Sequence, residues 1–277
     1  QNILIISLVV LSQLFSQKLE FGYSKKINRN KPFWLESNLN GIDYNNPIFN
    51  FLIQREHRKR NILFNYSLKF NLSSKSNFKN HLVEEGFLNF KKNVFYLSFG
   101  RFNQNVSSES ELLSSGSLAI SNNARSIPSI EVGINNFYPV ISKLNFQLKG
   151  NISHGWLNKG QYIKAPFLHQ KNLYLKKIIS SGSSISLGII HLAMWGGETL
   201  EHGKQPNKFL DYLRIFFLRP GSKNDLEQER INTLGNHLGI WDLLYEKEEN
   251  DKKLRLYYQH PFEDESGARW LLNRFDG

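Results

Sequence analysis

Apolar and polar residues alternate over long stretches of this chain, and the length of these stretches limits what it can fold into. In residues 62–72 every second side chain is apolar, namely Ile62, Phe64, Tyr66, Leu68, Phe70 and Leu72. The side chains between them from residue 65 onward are Asn65, Ser67, Lys69 and Asn71. Residues 143–153 repeat the pattern, with Leu144, Phe146, Leu148, Gly150 and Ile152 on one side. This period predicts β-strands with one apolar and one polar face.

The length of the rows distinguishes a soluble sheet from a membrane-spanning one. Strands in soluble sandwiches usually have about 5 to 6 residues, whereas a tilted strand needs about 9 to 11 residues to cross a bilayer. Residues 62–72 and 144–152 fit the longer figure, and their opposite faces carry the Asn, Ser, Gln and Lys expected in a water-filled or plugged lumen. The sequence therefore predicts an all-β fold, an antiparallel transmembrane β-barrel of the outer-membrane type. A soluble lipocalin-like barrel or β-sandwich with long strands is the alternative.

Further strands and one helix are predicted along the chain. Residues 81–105 read as a hairpin with its turn near Lys91, Lys92 and Asn93. Other strands are predicted at residues 117–121, 129–135, 172–179, 183–194, 236–246 and 253–260. Near residues 207–218, Phe209, Tyr212, Leu213 and Phe216 recur at helical intervals before Pro220 and Gly221, which predicts a short amphipathic helix. The Ser-rich residues 103–116 are expected to form an ordered loop or a lumen insert.

Composition excludes several classes of function. The absence of cysteine excludes disulfides, thiol catalysis and zinc bound by cysteine. A mean hydropathy of -0.42 argues against a helical membrane protein. The formal net charge of +11, from 35 Lys and Arg against 24 Asp and Glu, favours an acidic partner. That partner could be nucleic acid, anionic lipid headgroups or an acidic polysaccharide.

The first residues indicate the compartment. Residues 3–17 form an apolar run of signal-peptide length, with Ser16 as the last residue before cleavage. We interpret residues 1–16 as a partial signal peptide and residues 17–277 as the N-terminal portion of the barrel, with a buried core helix or strand as the alternative for the apolar run. Because the chain begins at Gln1 without a basic region, we expect it to be a fragment. Export makes a nucleic-acid partner remote, so the basic residues 55–60 are expected near lipid or lipopolysaccharide phosphates.

Several stretches resemble one protein family. They are SLAISNNARSIPSIEVGI at 117–134, KAPFLHQKNLYLKK at 164–177, IIHLAMWGG at 189–197, NTLGNHLGIWDL at 232–243 and YYQHPFEDESG at 257–267. Together they are similar to the Wzi-type capsule assembly proteins in the form found in Bacteroidetes. The resemblance runs from about the signal peptide to the last residue, and none of these stretches is a catalytic signature.

The resemblance implies a plugged outer-membrane barrel of about 18 strands that acts as a lectin and helps capsular polysaccharide attach to the cell surface. Members of the family continue for many more strands beyond the point where this sequence stops. Since every strand edge in a membrane must be paired, we expect this chain alone to give an incomplete sheet.

The candidate polysaccharide-binding residues are His, Trp and charged side chains in these stretches. His169, Lys171, His191 and Trp195 are predicted to point into the lumen, where Trp stacks on a sugar ring and the others bond to hydroxyls or a uronic carboxylate. A hydrogen-bond network that only joins plug to wall is the alternative. The remaining candidates are Arg125, His237, Asp242, Glu263 and Asp264.

Catalysis is a minority hypothesis. Glu263 and Asp264 beside His260 invite a metal or glycosidase site, but their composition is also typical of a solvated turn. Ser153 and His154 are neighbours in a strand and point to opposite faces, so they cannot form a dyad. The chain is therefore predicted to be non-enzymatic and without a cofactor, with a porin-like channel and an outer-membrane hydrolase as alternatives. Trp156 and His154 are predicted to lie at the membrane interface, in an aromatic girdle.

Overall fold

The computed structural model describes residues 17–24, 48–73, 83–104, 116–121, 123–223, 225, 227–263 and 267. The chain divides into two compact units, residues 1–104 with 121–130 and residues 105–120 with 131–277. The predicted signal peptide, Asp264 and nearly all of residues 103–116 lie outside the described residues.

The first unit contains a meander of antiparallel strands in which each strand pairs with the next. These strands are β1 (Gln17–Ser24), β2 (Ile48–Lys59), β3 (Ile62–Ser73), β4 (Val83–Lys92) and β5 (Phe95–Arg101). β4 and β5 form the predicted hairpin, with Lys92 opposite Phe95 and Asn93 in a left-handed conformation at the turn. A register shift between Lys69 and Phe70 interrupts the pairing of β3 with β4.

The second unit contains the longest strands. Strand β6 (Pro128–Ile141) enters it from the first unit, followed by β7 (Phe146–Trp156), β8 (Phe167–Ser180), β9 (Ser183–Trp195), β10 (Glu198–Thr199), β11 (Gly203–Lys204), helix α1 (Phe209–Phe216), helix α2 (Glu227–Ile231), β12 (Asn236–Glu249) and β13 (Lys252–Phe262). The main sheet has the order β6, β7, β8, β9, β12, β13, while β10 and β11 form a separate ribbon. The all-β antiparallel class and the short helix near residues 207–218 are confirmed.

The sheet buries polar side chains and exposes apolar ones, which is the reverse of the arrangement in a soluble protein. In the second unit the polar side chains Asn151, Ser186 and Asp242 are 8%, 1% and 2% exposed. Apolar side chains of the alternate rows stay exposed, for example Leu173 and Leu187, both at 51%. The first unit does the same, burying Ser67, Asn71, Asn89 and Ser98 while exposing Phe95, Leu97 and Phe99. We call the two sides the polar face and the apolar face.

Hydrogen bonds across neighbouring strands join several side chains of the polar face. Asn172 Nδ2 donates to Asn151 Oδ1 over 2.8 Å, and the Tyr174 hydroxyl donates to Asp242 Oδ2 over 2.7 Å. In the first unit, the carboxylate of Glu84 accepts from Lys69 Nζ at 2.8 Å and from Asn71 Nδ2 at 2.9 Å. Such pairing offsets the cost of burying polar groups.

Connections between strands alternate between short and long. The short ones are residues 60–61, 93–94, 142–145, 181–182 and 250–251. The long ones are residues 25–47, 74–82, 102–127, 157–166 and 196–235. Because antiparallel neighbours reverse direction, the connections within each unit alternate between the two ends of its strands. Each meander therefore has a short-turn end and a long-loop end.

Two predicted strand segments differ in the structure. Residues 117–121 form bends, not a strand, because Ala119 and Ile120 pack against the buried cluster of Tyr174, Ile190 and Ile240. The prediction of a strand there was wrong because tertiary packing overrode the local alternation. Ser142–Leu144 form a 3-10 turn followed by Asn145 at a φ of 56°, so β7 begins only at Phe146. A left-handed Asn is common in such turns.

No helix among the described residues is long and apolar enough to cross a membrane.

Gly188 makes room for the Tyr174 ring, and this contact gives a test of the packing on the polar face. A Cβ built at Gly188 overlaps the ring of Tyr174, which is only 1% exposed. We expect Gly188→Ala to shift the ring, weaken its bond to Asp242 and cost about 1 to 3 kcal/mol. The urea midpoint in detergent measures this effect. Gly22→Ala is the control, since its nearest neighbour is 3.4 Å away, and equal midpoints for the two variants would contradict the packing described here.

Candidate functional site: a histidine and aromatic cluster under a loop helix

Four histidines lie side by side on four strands of the second unit. His154 of β7 is opposite His169 of β8, which is opposite Ala193 of β9, which is opposite His237 of β12. One step along β8, Lys171 is opposite His191 of β9. Alternation along the strands and pairing across them place these side chains on the same side of the sheet as the exposed Leu173 and Leu187. They therefore belong to the apolar face, near its long-loop end.

Helix α1 covers this cluster. The Tyr212 ring lies 5.4 Å from the rings of both His154 and His169 and 5.8 Å from that of Trp195. Ile215 is fully buried and packs in one cluster with Ala193, Trp195 and Leu234. Burial also raises the pKa of the Tyr212 phenol, so this side chain stays neutral. We call the group His154, His169, His191, Trp195 and His237 with Tyr212 and Ile215 the helix-covered cluster.

The sequence around α1 explains where the helix begins and ends. At its start the Asp211 carboxylate accepts a hydrogen bond from the Lys208 backbone N–H at 2.9 Å, which satisfies one of the unpaired N–H groups of the first turn. Asp211 also pairs with Arg214 Nη1 at 2.7 Å. The helix ends where Leu218 adopts a φ of 55°, two residues before Pro220.

The cluster corrects one prediction. His169, Lys171, His191 and Trp195 were expected to point into a polar lumen, but alternation places them on the apolar face. His169 and Trp195 are only 0% and 6% exposed because Tyr212 of α1 packs against both rings, and His191 is 7% exposed. The sequence showed the helical spacing of α1, but no local pattern indicated which face the helix covers.

Hydrogen bonds fix the tautomers of two histidines. The Leu234 carbonyl can only accept, so His237 Nε2 donates to it over 2.7 Å. In a neutral His237 ring, Nδ1 then accepts the hydrogen bond from His191 Nε2 over 2.8 Å. This leaves His191 Nδ1 as a buried acceptor without a hydrogen-bond partner. The pair is therefore a directed chain of neutral rings.

The cluster does not form a metal centre. No group of three or more His, Asp or Glu side chains in the described part of the chain is arranged to hold a metal ion. Asp242, the nearest buried acid along β12, points to the polar face and accepts from Tyr174. Ser153 is buried on the polar face and His154 lies on the apolar face, as their alternation predicted.

Comparison with known protein families decides the affiliation of the chain. Residues 36–274 match the family described as Capsule assembly protein Wzi. The chain belongs to this family. Among curated proteins no relative matches it. The resemblance to the Wzi-type capsule assembly proteins is thus confirmed, while the Bacteroidetes form stays a prediction. The assignment to capsule assembly applies to the family as a whole.

The other predicted site residues of this Wzi-family chain are not members of the cluster. Arg125 belongs to the first unit, where its Nη2 donates to the Val83 carbonyl over 3.1 Å. Burial lowers the pKa of its guanidinium while Glu84 acts in the opposite direction, and the group remains cationic. Glu263 lines a cavity of the second unit beside His191 and His237.

Trp156 lies at the long-loop end of β7. Its ring is 39% exposed and meets the His154 ring edge-on at 5.2 Å. His154 in turn lies 5.3 Å from the Phe167 ring. The predicted interface residues therefore stand in a row of rings on the apolar face, and their position relative to a membrane stays a prediction.

Sequence reasoning missed the exposed cations of the long connections in this Wzi-family chain. They are Lys159 in residues 157–166 and Lys204, Lys208, Arg219, Lys223 and Arg230 in residues 196–235. In the described part of the chain, no carboxylate forms an ion pair with any of them. Basic residues are scattered along the whole sequence, so only the strand order could show that these six share one end of the strands.

Proposed function

We propose that this chain spans the outer membrane with its long strands and binds acidic capsular polysaccharide, without turning it over, at the long-loop end. The observation that carries the proposal is the reversed burial of the sheet, together with the unpaired cations at that end. Membership of a capsule assembly family supplies the class of glycan.

The reversed burial supports the membrane location. Leu173, Leu187 and Leu243 expose 51%, 51% and 42% of their surface. In water, leaving these apolar side chains exposed would lose about 25 cal/mol of stabilisation for each Å² of apolar surface that burial could remove from solvent. Lipid removes that cost, and strands of 11 to 14 residues from β7 to β9 are long enough to cross. Alternation of short turns with long loops is typical of outer-membrane barrels.

The charges of the long connections support an acidic ligand. Two of their acids are already paired, Glu198 with Lys164 at 2.8 Å and Asp211 with Arg214 at 2.7 Å. The other acids of these two connections in the sequence are Glu201, Asp225, Glu227 and Glu229, and the six unpaired cations outnumber them. A polysaccharide with uronic carboxylates meets complementary charge at this end.

A plug supports binding over conduction. Ala119 and Ile120 pack against Tyr174, Ile190 and Ile240 on the polar face. The Leu118 N–H donates to Gln259 Oε1 over 3.2 Å. A segment held across the polar face narrows any aqueous path, which favours a plugged binding protein over a porin-like channel. Rapid sugar flux in a liposome-swelling assay would count against this choice.

Charge reversal at the long-loop end tests the binding site. We expect Lys159→Glu combined with Lys204→Glu to weaken binding of the purified acidic capsular polysaccharide at least about tenfold, because attraction becomes repulsion. Isothermal titration at two salt concentrations measures the affinity and its salt dependence, which should also fall.

The matched control carries the same charge change at the other end. Lys92 and Lys143 are exposed beside the short turns, so Lys92→Glu with Lys143→Glu should leave glycan affinity unchanged. If both double variants lost the same glycan affinity, the loss would be due to net charge alone, and this would contradict a site at the long-loop end.

A further inference from the structure

A cavity of about 660 Å³ lies on the apolar face beside the helix-covered cluster. Its lining includes the polar side chains Lys171, His191 and His237 and the apolar side chains Ile152, Leu173 and Ile189. Leu218 and Thr233 of the long connection also line it. The volume falls within the usual range of pockets for small ligands, about 300 to 1,000 Å³.

The apolar part of the cavity continues into the exposed surface of the strands. Leu173 and Ile189 line the cavity and are themselves 51% and 36% exposed. The next residues of the same rows, Leu175 and Leu187, are 42% and 51% exposed. A long hydrocarbon chain could therefore enter the cavity from this surface without crossing a polar boundary.

The polar part of the cavity offers a cation and an unused acceptor. Lys171 Nζ donates to the Phe216 carbonyl and lies 4.6 Å from the Phe216 ring. An ammonium has three N–H groups, so two remain for a ligand. No carboxylate among the described residues forms an ion pair with it, and Glu263 is the one acid in the lining. His191 Nδ1 is buried there without a hydrogen-bond partner.

Helix α1, whose Phe216 carbonyl accepts the hydrogen bond from Lys171, exposes apolar side chains. Phe209 and Leu210 of α1 and Phe217 directly after it are 73%, 64% and 63% exposed, while Ile215 is buried. Helices at a bilayer surface bury apolar side chains at the boundary between headgroups and acyl chains. In the proposed membrane location these side chains bring α1 to that boundary, the level at which a lipid carries its phosphate.

We infer that this cavity binds one phosphate-bearing membrane lipid, with its phosphate at Lys171 and an acyl chain along Leu173 and Ile189. The inference rests on the proposed membrane location and adds a defined lipid site to it. A sugar alone would leave the apolar wall unfilled, and a hydrocarbon alone would leave Lys171 without an anion. A phosphate near Lys171 forms a charge-assisted hydrogen bond with its ammonium group.

The test compares lipids with and without phosphate. The whole chain is folded in a neutral maltoside detergent and titrated with dioleoyl phosphatidic acid, with dioleoylglycerol or with inorganic phosphate, and bound molecules are counted by native mass spectrometry. We expect one phosphatidic acid to be retained, dioleoylglycerol to bind about tenfold more weakly and inorganic phosphate not to compete. Equal retention of both lipids, or displacement by inorganic phosphate, would overturn the inference.

Lys177 provides a matched control on the same strand and face. It also donates to a backbone carbonyl, that of Leu144, and lies 4.7 Å from the Phe146 ring, but at the short-turn end. Lys171→Gln should lose about tenfold in phosphatidic acid retention, while Lys171→Arg and Lys177→Gln should retain it. Loss in Lys177→Gln equal to that in Lys171→Gln would refute a specific site.

A second variant keeps the test valid if Lys171→Gln fails to fold. Leu218 has a φ of 55° and is 49% exposed, so Leu218→Asn suits the backbone and removes one apolar wall. Its retention of phosphatidic acid should fall several-fold, and unchanged retention would contradict the assignment. A chain that is soluble without detergent would instead refute the membrane location, so the two failures are distinguishable.

Discussion

Leu187→Arg is expected to destabilise the folded chain in a bilayer by about 2 to 4 kcal/mol. Leu187 lies in β9 between Ile185 and Ile189, and its side chain is 51% exposed on the apolar face. If lipid faces it, an arginine there must bring a charge into hydrocarbon. At an exposed position in water the same change would alter stability by no more than about 0.5 kcal/mol.

Urea unfolding in phospholipid vesicles measures this difference, with Ile179→Arg as the control. Ile179 is 58% exposed and lies at the register shift of β8 against β9, two residues before the short turn at residues 181–182. Near the interface the cost of arginine falls to about 0 to 1 kcal/mol. Similar small losses in both variants would show that the apolar face meets water.

Trp195→Ala is expected to cost about 3 to 5 kcal/mol and to loosen α1 from the sheet. The Trp195 ring is 6% exposed and lies 5.0 Å from Phe167, 5.8 Å from His154 and 5.8 Å from Tyr212. Its removal leaves a cavity under the helix that the strands cannot close. Urea unfolding of the variant and of the unsubstituted chain measures the loss of stability. The rate of tryptic cleavage after Lys208 and Arg214 measures the loosening of α1.

Trp156→Ala is the matched control. Trp156 stands in the same row of rings but is 39% exposed and makes no ring contact with α1 in the described structure. Its loss should cost clearly less and leave cleavage within α1 unchanged. If both variants cleave at the same faster rate, the helix is not held by Trp195.

Alternation in the sequence was enough to predict most of the sheet. In β8, Leu173 and Leu175 alternate with Asn172 and Tyr174, and the structure exposes the first pair and buries the second. Alternation reports which residues share a face, because it follows from the geometry of a single strand. The short helix was also predicted, since Phe209, Tyr212 and Phe216 recur at helical spacing.

The candidate site was predicted less well, because it depends on contacts between distant parts of the chain. His169 and Trp195 are polar or aromatic, so the sequence suggested a lumen, yet both continue the apolar rows of their strands. They are buried there only because α1, which follows β9, folds back over β8 and β9. The predicted strand at residues 117–121 was wrong for a similar reason, since Ile120 packs against the buried cluster that contains Tyr174 and Ile190.

Site-directed spin labelling tests the central claim, that the apolar face meets lipid, most directly. The chain contains no cysteine, so Leu187→Cys and Lys159→Cys each provide a single labelling site in vesicles. We expect the nitroxide at 187 to collide with oxygen and to be shielded from a water-soluble nickel chelate, and the nitroxide at 159 to show the reverse. Equal access of the nickel chelate to both labels would contradict the membrane-spanning sheet.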